Sequence, residues 1–409
     1  MREMLEKDKL LNELVSLPEY HKEIRFQPAT KRLMALEDCM SQIYIPNQMS
    51  VEIYNRMYLA SYKASQKKNT IEATKQHYEN FKTTRSISSS HKGGIMGGSD
   101  TFTLIGDSGI GKTTAIQKAI DLMKDDNEEH INCLQVECPN DCSVKGLLLN
   151  ILQAFDNATG SEYFMRFVNS KYTTDVLIGV VSTICQNYLN LLVIDEIQNV
   201  RLNMKTRCTV SNGEKIIATL VQLINSTGIA VMLVGTPEIE PVFQQEIHLA
   251  RRTVGLRYKA LSYNQEFYDL CNKIYSYQFT RSVEPFNEEV CRWLYQHTGG
   301  KVALVLGLIK TAQEISIING TEYLDISALE VAFKERYQNV AGFMKQVVEK
   351  ELSKPKKVSF GTKVSSATGS GRSAETLFVA SIVDFCKKNH KDIVKELRPH
   401  MPIVEVKVL

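Results

Sequence analysis

Neither charge sign dominates this chain: 49 Lys and Arg stand against 46 Asp and Glu, a formal net charge of +3 over 409 residues. Bulk charge therefore commits it neither to nucleic acid nor to acidic substrates, and any electrostatic argument has to be local. The sequence lacks an apolar run of about 18 residues, which argues against a membrane span. Its opening, Met1 to Lys9, mixes charges and has no apolar signal-peptide core, so a cytoplasmic location with no membrane partner is expected. Cysteine is too thinly spread for a disulfide scaffold: nine residues, an odd number, fit reduced thiols. Cys133, Cys138 and Cys142 come close together, but no fourth ligand follows in register, so buried thiols are favoured over zinc. The 43% apolar and 23% charged content is ordinary for a globular chain.

What the chain does contain is organised around residues 101–114. A β-branched, apolar run from Thr101 to Ile105 enters a glycine-rich turn, and Gly111-Lys112-Thr113-Thr114 opens a segment with helical spacing at Ile116, Ala119, Ile120 and Met123. The spacing Gly106-x4-Gly111-Lys112-Thr113 fits the Walker A pattern of strand, phosphate loop and helix. Gly106, Gly109 and Gly111, with Asp107, Ser108 and Ile110 between them, would turn backbone N–H groups toward phosphate oxygens at a helix N-terminus. Lys112 would reach the β- and γ-phosphates of ATP. Thr113 would ligate Mg2+, and Thr114 completes the loop.

A phosphate loop calls for an acidic partner. Leu191 to Glu196 is a short apolar run ending in two carboxylates, the form of a Walker B strand. Asp195 would hold Mg2+ through water and Glu196 would polarise the attacking water. A third buried run, Gly228 to Gly235, carries Thr236 just past its end, where a sensor hydroxyl can meet the γ-phosphate or orient that water. Arg251 and Arg252 precede the expected last strand, Leu256 to Leu261. Either can act as an arginine finger into a neighbouring subunit or form a local ion pair. Lys301, in Gly299-Gly300-Lys301, suits a second sensor cation as well as an ordinary helix start.

Strands at 101–105, 131–138, 189–194 and 229–235 alternate with helices at 112–124, 144–157 and 213–226, which predicts an α/β fold with a parallel sheet covered on both faces. Four parts are expected: a helical N-terminal extension (1–100), the nucleotide-binding domain (101–265), a helical lid (266–353) and a flexible basic tail (354–409). The tail holds eleven Lys and Arg against five Asp and Glu. Lys145, Arg166, Lys171, Lys205 and Arg207 are the candidates for DNA phosphates. The tyrosines and basic residues of 50–83 fit a solvated helix face over an aromatic core better than a nucleic-acid surface. Short apolar segments in the tail, Leu377 to Val383 and Ile403 to Leu409, suit either capture of a partner or docking on the chain itself.

Together these motifs look like an AAA+ ATPase. More narrowly, Val136 to Leu147, Ile194 to Gln198, Leu233 to Pro237 and Ala250-Arg251-Arg252 resemble the TnsC/TniB family of transposition regulators, over roughly residues 30–340. One departure is that a glycine is expected where Cys142 stands. The resemblance implies ATP-bound subunits assembling as rings or helical filaments on double-stranded DNA. It implies a link between a TniQ/TnsD-type target selector, in some systems CRISPR-guided, and a TnsA/TnsB-type transposase engaged through the tail, with hydrolysis resetting the assembly. A replication initiator or helicase loader, and a non-catalytic nucleotide switch, are the alternatives.

Overall fold

Five short strands form the centre: β1 (Thr101–Gly106), β2 (Ile131–Glu137), β3 (Leu189–Asp195), β4 (Ala230–Gly235) and β5 (Leu256–Tyr258). All pair in parallel, in the order β2-β3-β4-β1-β5. The computed structural model describes residues 3–68, 101–124, 131–169, 172–202, 210–245 and 255–340. Strands β1, β3 and β4 are buried along their whole length, so they read as continuous apolar runs rather than alternating ones. β5 is only three residues long, shorter than the expected Leu256 to Leu261, because the chain leaves the sheet at Lys259 for the lid.

The chain crosses from β1 past β4 and β3 to reach β2, so the sheet's order reverses beside β1. Ligands of such sheets gather at that switch point, outside the carboxyl ends of the strands. The covering helices follow the expected alternation. They are α4 (Lys112–Met123), α5 (Val144–Thr159) and α9 (Val210–Thr227), with the short α8 (Asn199–Leu202) after β3 and α10 (Glu240–Gln245) after β4. The stretch between α5 and β3, for which no element was expected, forms α6 (Tyr163–Val168) and α7 (Thr174–Tyr188). Asp156 sets that turn: its carboxylate accepts from Tyr163 N at 3.0 Å and Phe164 N at 2.6 Å, satisfying the first amides of α6.

The N-terminal helices α1 (Lys7–Leu14), α2 (Ala29–Gln42) and α3 (Gln48–Lys68) enter two different cores. Leu10, Leu14, Ile53, Tyr54 and Met57 pack with Phe102, Leu104, Ile116 and Val193 on one face of the sheet. Leu36, Cys39, Met40 and Ile43 instead pack into the lid helices α11 (Gln265–Tyr275), α12 (Glu288–Thr298), α13 (Val302–Asn319) and α14 (Ile326–Arg336). The break between the two allegiances is the turn at Ile43 to Asn47, where Tyr44 and Ser16 exchange backbone hydrogen bonds at 2.9 and 2.8 Å.

Arg32 fastens α2 to the lid. It is 1% exposed, forms two hydrogen bonds with the Glu322 carboxylate at 2.6 and 2.5 Å, and donates to Phe279 O at 3.0 Å. Removing one partner of a buried pair strands the other, so Arg32→Ala is expected to lower stability by about 3 kcal/mol in urea unfolding. The hydrogen bonds from Arg32 hold the Glu322 carboxyl below its ordinary 4.5. A depressed carboxylate stabilises the fold above its unfolded value, and that contribution falls away as pH drops below 4.5 toward the folded value. Urea midpoints across this acid range should therefore decline more steeply for the wild type than for Arg32→Ala.

Helix α13 is long and apolar enough by composition to cross a membrane, although Lys310, Gln313 and Glu314 interrupt its apolar run. It is apolar around most of its circumference because it is the central lid helix, with Val305, Leu308, Ile309 and Ala312 buried among α2, α11, α12 and α14. Among the described residues no other helix is long and apolar enough to cross a membrane. No group of three or more His, Cys, Asp or Glu capable of holding a metal occurs among them either. Cys133, Cys138 and Cys142 are buried and form no disulfide.

Candidate functional site

The loop after β1 is shaped by its glycines. Gly109 and Gly111 have φ of 81° and 94°, a region that side chains rarely enter, and Gly111 caps the N-terminus of α4. A Cβ on Gly106 would lie 2.7 Å from Ile110 Cδ1 and 2.9 Å from Tyr258 O, so β1 must end in a residue without a side chain. Lys112 folds back over the loop, its Nζ donating to Gly106 O at 2.7 Å and Asp107 O at 2.9 Å. Burial lowers its pKa, opposed by the charges of Asp195, Glu196 and Asp107, while nearby Lys301 adds to the lowering. An ammonium drawn between loop carbonyls and two carboxylates is poised to accept an anion.

Asp195 ends β3 beside this loop. Thr113 Oγ1 donates to its Oδ2 at 2.9 Å, Gln135 Nε2 reaches the same oxygen at 3.2 Å, and Glu196 N donates to Oδ1 at 2.8 Å. The carboxylate is thereby oriented, with a hydroxyl at its side. Such a hard oxygen pair suits Mg2+, which Thr113 and Asp195 would hold. Glu196 follows with φ of 55°, a left-handed conformation unusual for this residue type, and its side chain is exposed toward the loop. Its Oε2 accepts from Gln198 Nε2. At the tip of β4, Thr236 N donates to Gln198 Oε1 at 3.1 Å, while Thr236 Oγ1 is buried without a partner.

These groups share one cavity of about 240 Å³, lined by Ser108, Gly109, Gly111, Lys112, Thr113, Thr114, Asp195, Glu196, Gln198, Gly235, Thr236 and Ala303. An unpaired buried hydroxyl, a turned-in lysine and open backbone space at Gly111 are the features a bound phosphate would satisfy. The residues therefore fit a nucleoside phosphate with its metal. The lid closes one side. Ala303 N donates to Gly109 O at 3.0 Å, and Leu261 N to Gly300 O at 3.1 Å. Lys301 caps α13 and is half-buried; its Cβ would lie 4.0 Å from a Cβ on Gly109.

A second, apolar cavity of about 120 Å³ also borders Gly111. Ile43, Tyr44 and Ile45 contribute from the N-terminal turn, Met49 from the start of α3, Ile110 and Thr114 from the loop and α4, and Leu270, Val302 and Leu306 from the lid.

Two of the sites expected from sequence lie apart from these cavities. Lys145 is half-buried in the first turn of α5 and Arg166 is exposed on α6. Arg251, Arg252, Lys171, Lys205 and Arg207 lie outside the described residues, as does the 354–409 tail. The turn before α5 accounts for the unexpected residue in the Val136 to Leu147 motif: Cys142 has φ of 52°, the conformation a glycine would take freely. Its thiol is buried and donates to Asn199 O at 3.3 Å. Sequence reasoning assigned no role to Gln135, Gln198 or the apolar cavity. A glutamine inside a buried strand and another two residues beyond a catalytic-type glutamate were the available signals; the cavity had none.

Residues 97–243 match the AAA domain family. No protein of curated function matches the chain. Among solved structures, the Aeropyrum pernix ORC2 protein in ADPNP–ADP complexes is 17% identical, with a TM-score of 0.41 over 64% of this chain and 67% of that one. The Aeropyrum pernix ORC1 protein in complex with DNA is 12% identical, with a TM-score of 0.40 over 58% and 60% of the two chains. Domain III of the Thermotoga maritima replication initiation protein DnaA is 13% identical, with a TM-score of 0.37 over 68% and 94%. The strand order, the phosphate loop and the family match together make this an AAA+ P-loop NTPase fold.

Proposed function

We propose that this AAA+ fold binds ATP with Mg2+ and hydrolyses it, using Lys112 on the phosphates, Thr113 and Asp195 for the metal, Glu196 toward the attacking water and Thr236 toward the γ-phosphate. The observation that carries the reading is the convergence of all five in one cavity, with Thr236 Oγ1 buried and unpaired. Bound Mg2+ would draw charge from the phosphate oxygens, which is the metal's contribution. The chain's own work is to hold the phosphates through loop amides and Lys112, and to keep the Glu196 carboxylate beside them.

The apolar cavity beside Gly111 accepts the base in this reading. It lies next to the phosphate cavity, which shares Gly111, Thr114 and Ala303 with it. Ala303→Phe should fill it and raise the Kd of a fluorescent ATP analogue about 10-fold, roughly 1.4 kcal/mol. Loss of affinity for free triphosphate to the same extent would place the effect on the phosphates instead.

At the finer level, the TnsC/TniB resemblance supports an ATP-dependent regulator of transposition. In this reading it oligomerises on double-stranded DNA and joins a TniQ/TnsD-type selector to a TnsA/TnsB-type transposase through the 354–409 tail. Lys145 and Arg166, with Lys171, Lys205 and Arg207, are its proposed phosphate contacts; Arg251 or Arg252 its finger into a neighbouring subunit; Lys301 its lid cation. The proposed division is an N-terminal extension (1–100), nucleotide domain (101–265), lid (266–353) and tail, in a cytoplasmic protein. A replication initiator or helicase loader shares the ATP site and is the alternative. Electron microscopy with duplex DNA and a slowly hydrolysed ATP analogue separates them: nucleotide-dependent rings or filaments on DNA support the regulator, whereas monomers under both conditions argue against it.

A further inference from the structure

We infer that Gln198 is a positioning residue for hydrolysis, a two-ended clamp through which the tip of β4 sets the pose of Glu196. The inference rests on the hydrolytic reading above. After the left-handed turn at Glu196, Ile197 N donates to Val234 O at 3.0 Å and brings Gln198 beneath the end of β4. Gln198 is 7% exposed, and both ends of its amide are used: Nε2 donates to Glu196 Oε2, and Oε1 accepts from Thr236 N at 3.1 Å. Only a primary amide of this length supplies a donor for the carboxylate and an acceptor for the backbone N–H at once. Room for it is kept by Gly235, where a Cβ would lie 2.7 Å from Gln198 Oε1 and 2.8 Å from Ile197 Cγ2.

The clamp joins two groups with different tasks. Thr236 carries the unpaired buried hydroxyl of the cavity, and Glu196 carries the exposed carboxylate. Without Gln198 an exposed glutamate is free to sample several rotamers; with it, one carboxylate oxygen is tied and the other is left for water. Any movement of the Thr236 backbone on engaging a phosphate is passed through the amide to that carboxylate. Gln198 thus acts on the rate of hydrolysis rather than on nucleotide affinity.

The test is single-turnover hydrolysis of radiolabelled ATP by the full chain, beside the Kd of a fluorescent ATP analogue and the thermal midpoint. Gln198→Met keeps the volume and removes both hydrogen bonds. It should slow the chemical step about 30-fold, with Kd within about twofold of wild type. Gln198→Glu keeps the shape and decides the matter if the Met variant does not fold: replacing the donor by a like charge should slow the step at least as much. Because the effect runs through Glu196, adding Gln198→Met to Glu196→Gln should change the residual rate less than about twofold. A Gln198→Met rate within about threefold of wild type would overturn the clamp, as would a further large loss in the Glu196→Gln background. Wild-type chain that binds ATP but never hydrolyses it would overturn the hydrolytic reading and the clamp together, whereas normal wild-type turnover with an unaffected Gln198→Met overturns the clamp alone.

Discussion

Glu196→Gln is expected to lower the rate of ATP hydrolysis about 1000-fold while leaving ATP affinity nearly unchanged. Removing a general base costs about 100- to 10,000-fold, and the amide cannot take a proton from water. The substitution preserves size, and the exposed side chain makes no contribution to the sheet core, so folding should be unaffected. Asp195 remains held by Thr113, Gln135 and the Glu196 backbone N–H, none of which depends on the Glu196 side chain. ATP should therefore still bind and accumulate uncleaved. The measurement is single-turnover hydrolysis beside equilibrium binding; a parallel loss of both would mean that Glu196 serves binding rather than chemistry.

Lys112→Ala should act the other way, raising the Kd for ATP about 1000-fold, roughly 4 kcal/mol. The ammonium sits between Gly106 O and Asp107 O with Asp195 and Glu196 close by, so it is the positive charge that offsets these carboxylates as well as the phosphates. Two charge-assisted hydrogen bonds to phosphate, at about 2 kcal/mol each, account for the magnitude. The variant also removes from beside Asp195 and Glu196 the ammonium that offsets their charge against the polyphosphate. Equilibrium dialysis or anisotropy with a labelled nucleotide reads the effect directly. Near-normal affinity in Lys112→Ala would mean that the loop amides alone hold the phosphates.

The two variants, read together, separate capture of ATP from its cleavage. If the DNA-bound assembly depends on the ATP state, Lys112→Ala should fail to form it and Glu196→Gln should hold it longer. Both are visible by electron microscopy of the same samples. Assembly of Lys112→Ala at ordinary nucleotide levels would uncouple ATP from oligomerisation.

Much of this architecture was legible in the order of residues because the signals are local. The glycines of the phosphate loop, the apolar runs of β1, β3 and β4, and the carboxylates ending β3 each depend on neighbours a few positions away. The expected glycine at position 142 is equally local: the turn demands a left-handed residue, and Cys142 occupies that conformation in its place. What stayed hidden depends on contacts between distant segments. Nothing near Arg32 announces Glu322, 290 positions on, and the apolar cavity at Gly111 draws its walls from an N-terminal turn, the phosphate loop and the lid. Gln198 looks like any polar residue after a strand until the backbone turn at Glu196 carries it under β4. Its partners are then Glu196, two residues away, and Thr236, 38 residues away, and only the folding of parallel strands side by side puts both within reach of one amide. Local spacing determined which residues can handle phosphate; the sheet's crossover and the packing of the N-terminal helices against both sheet and lid decided which of them meet.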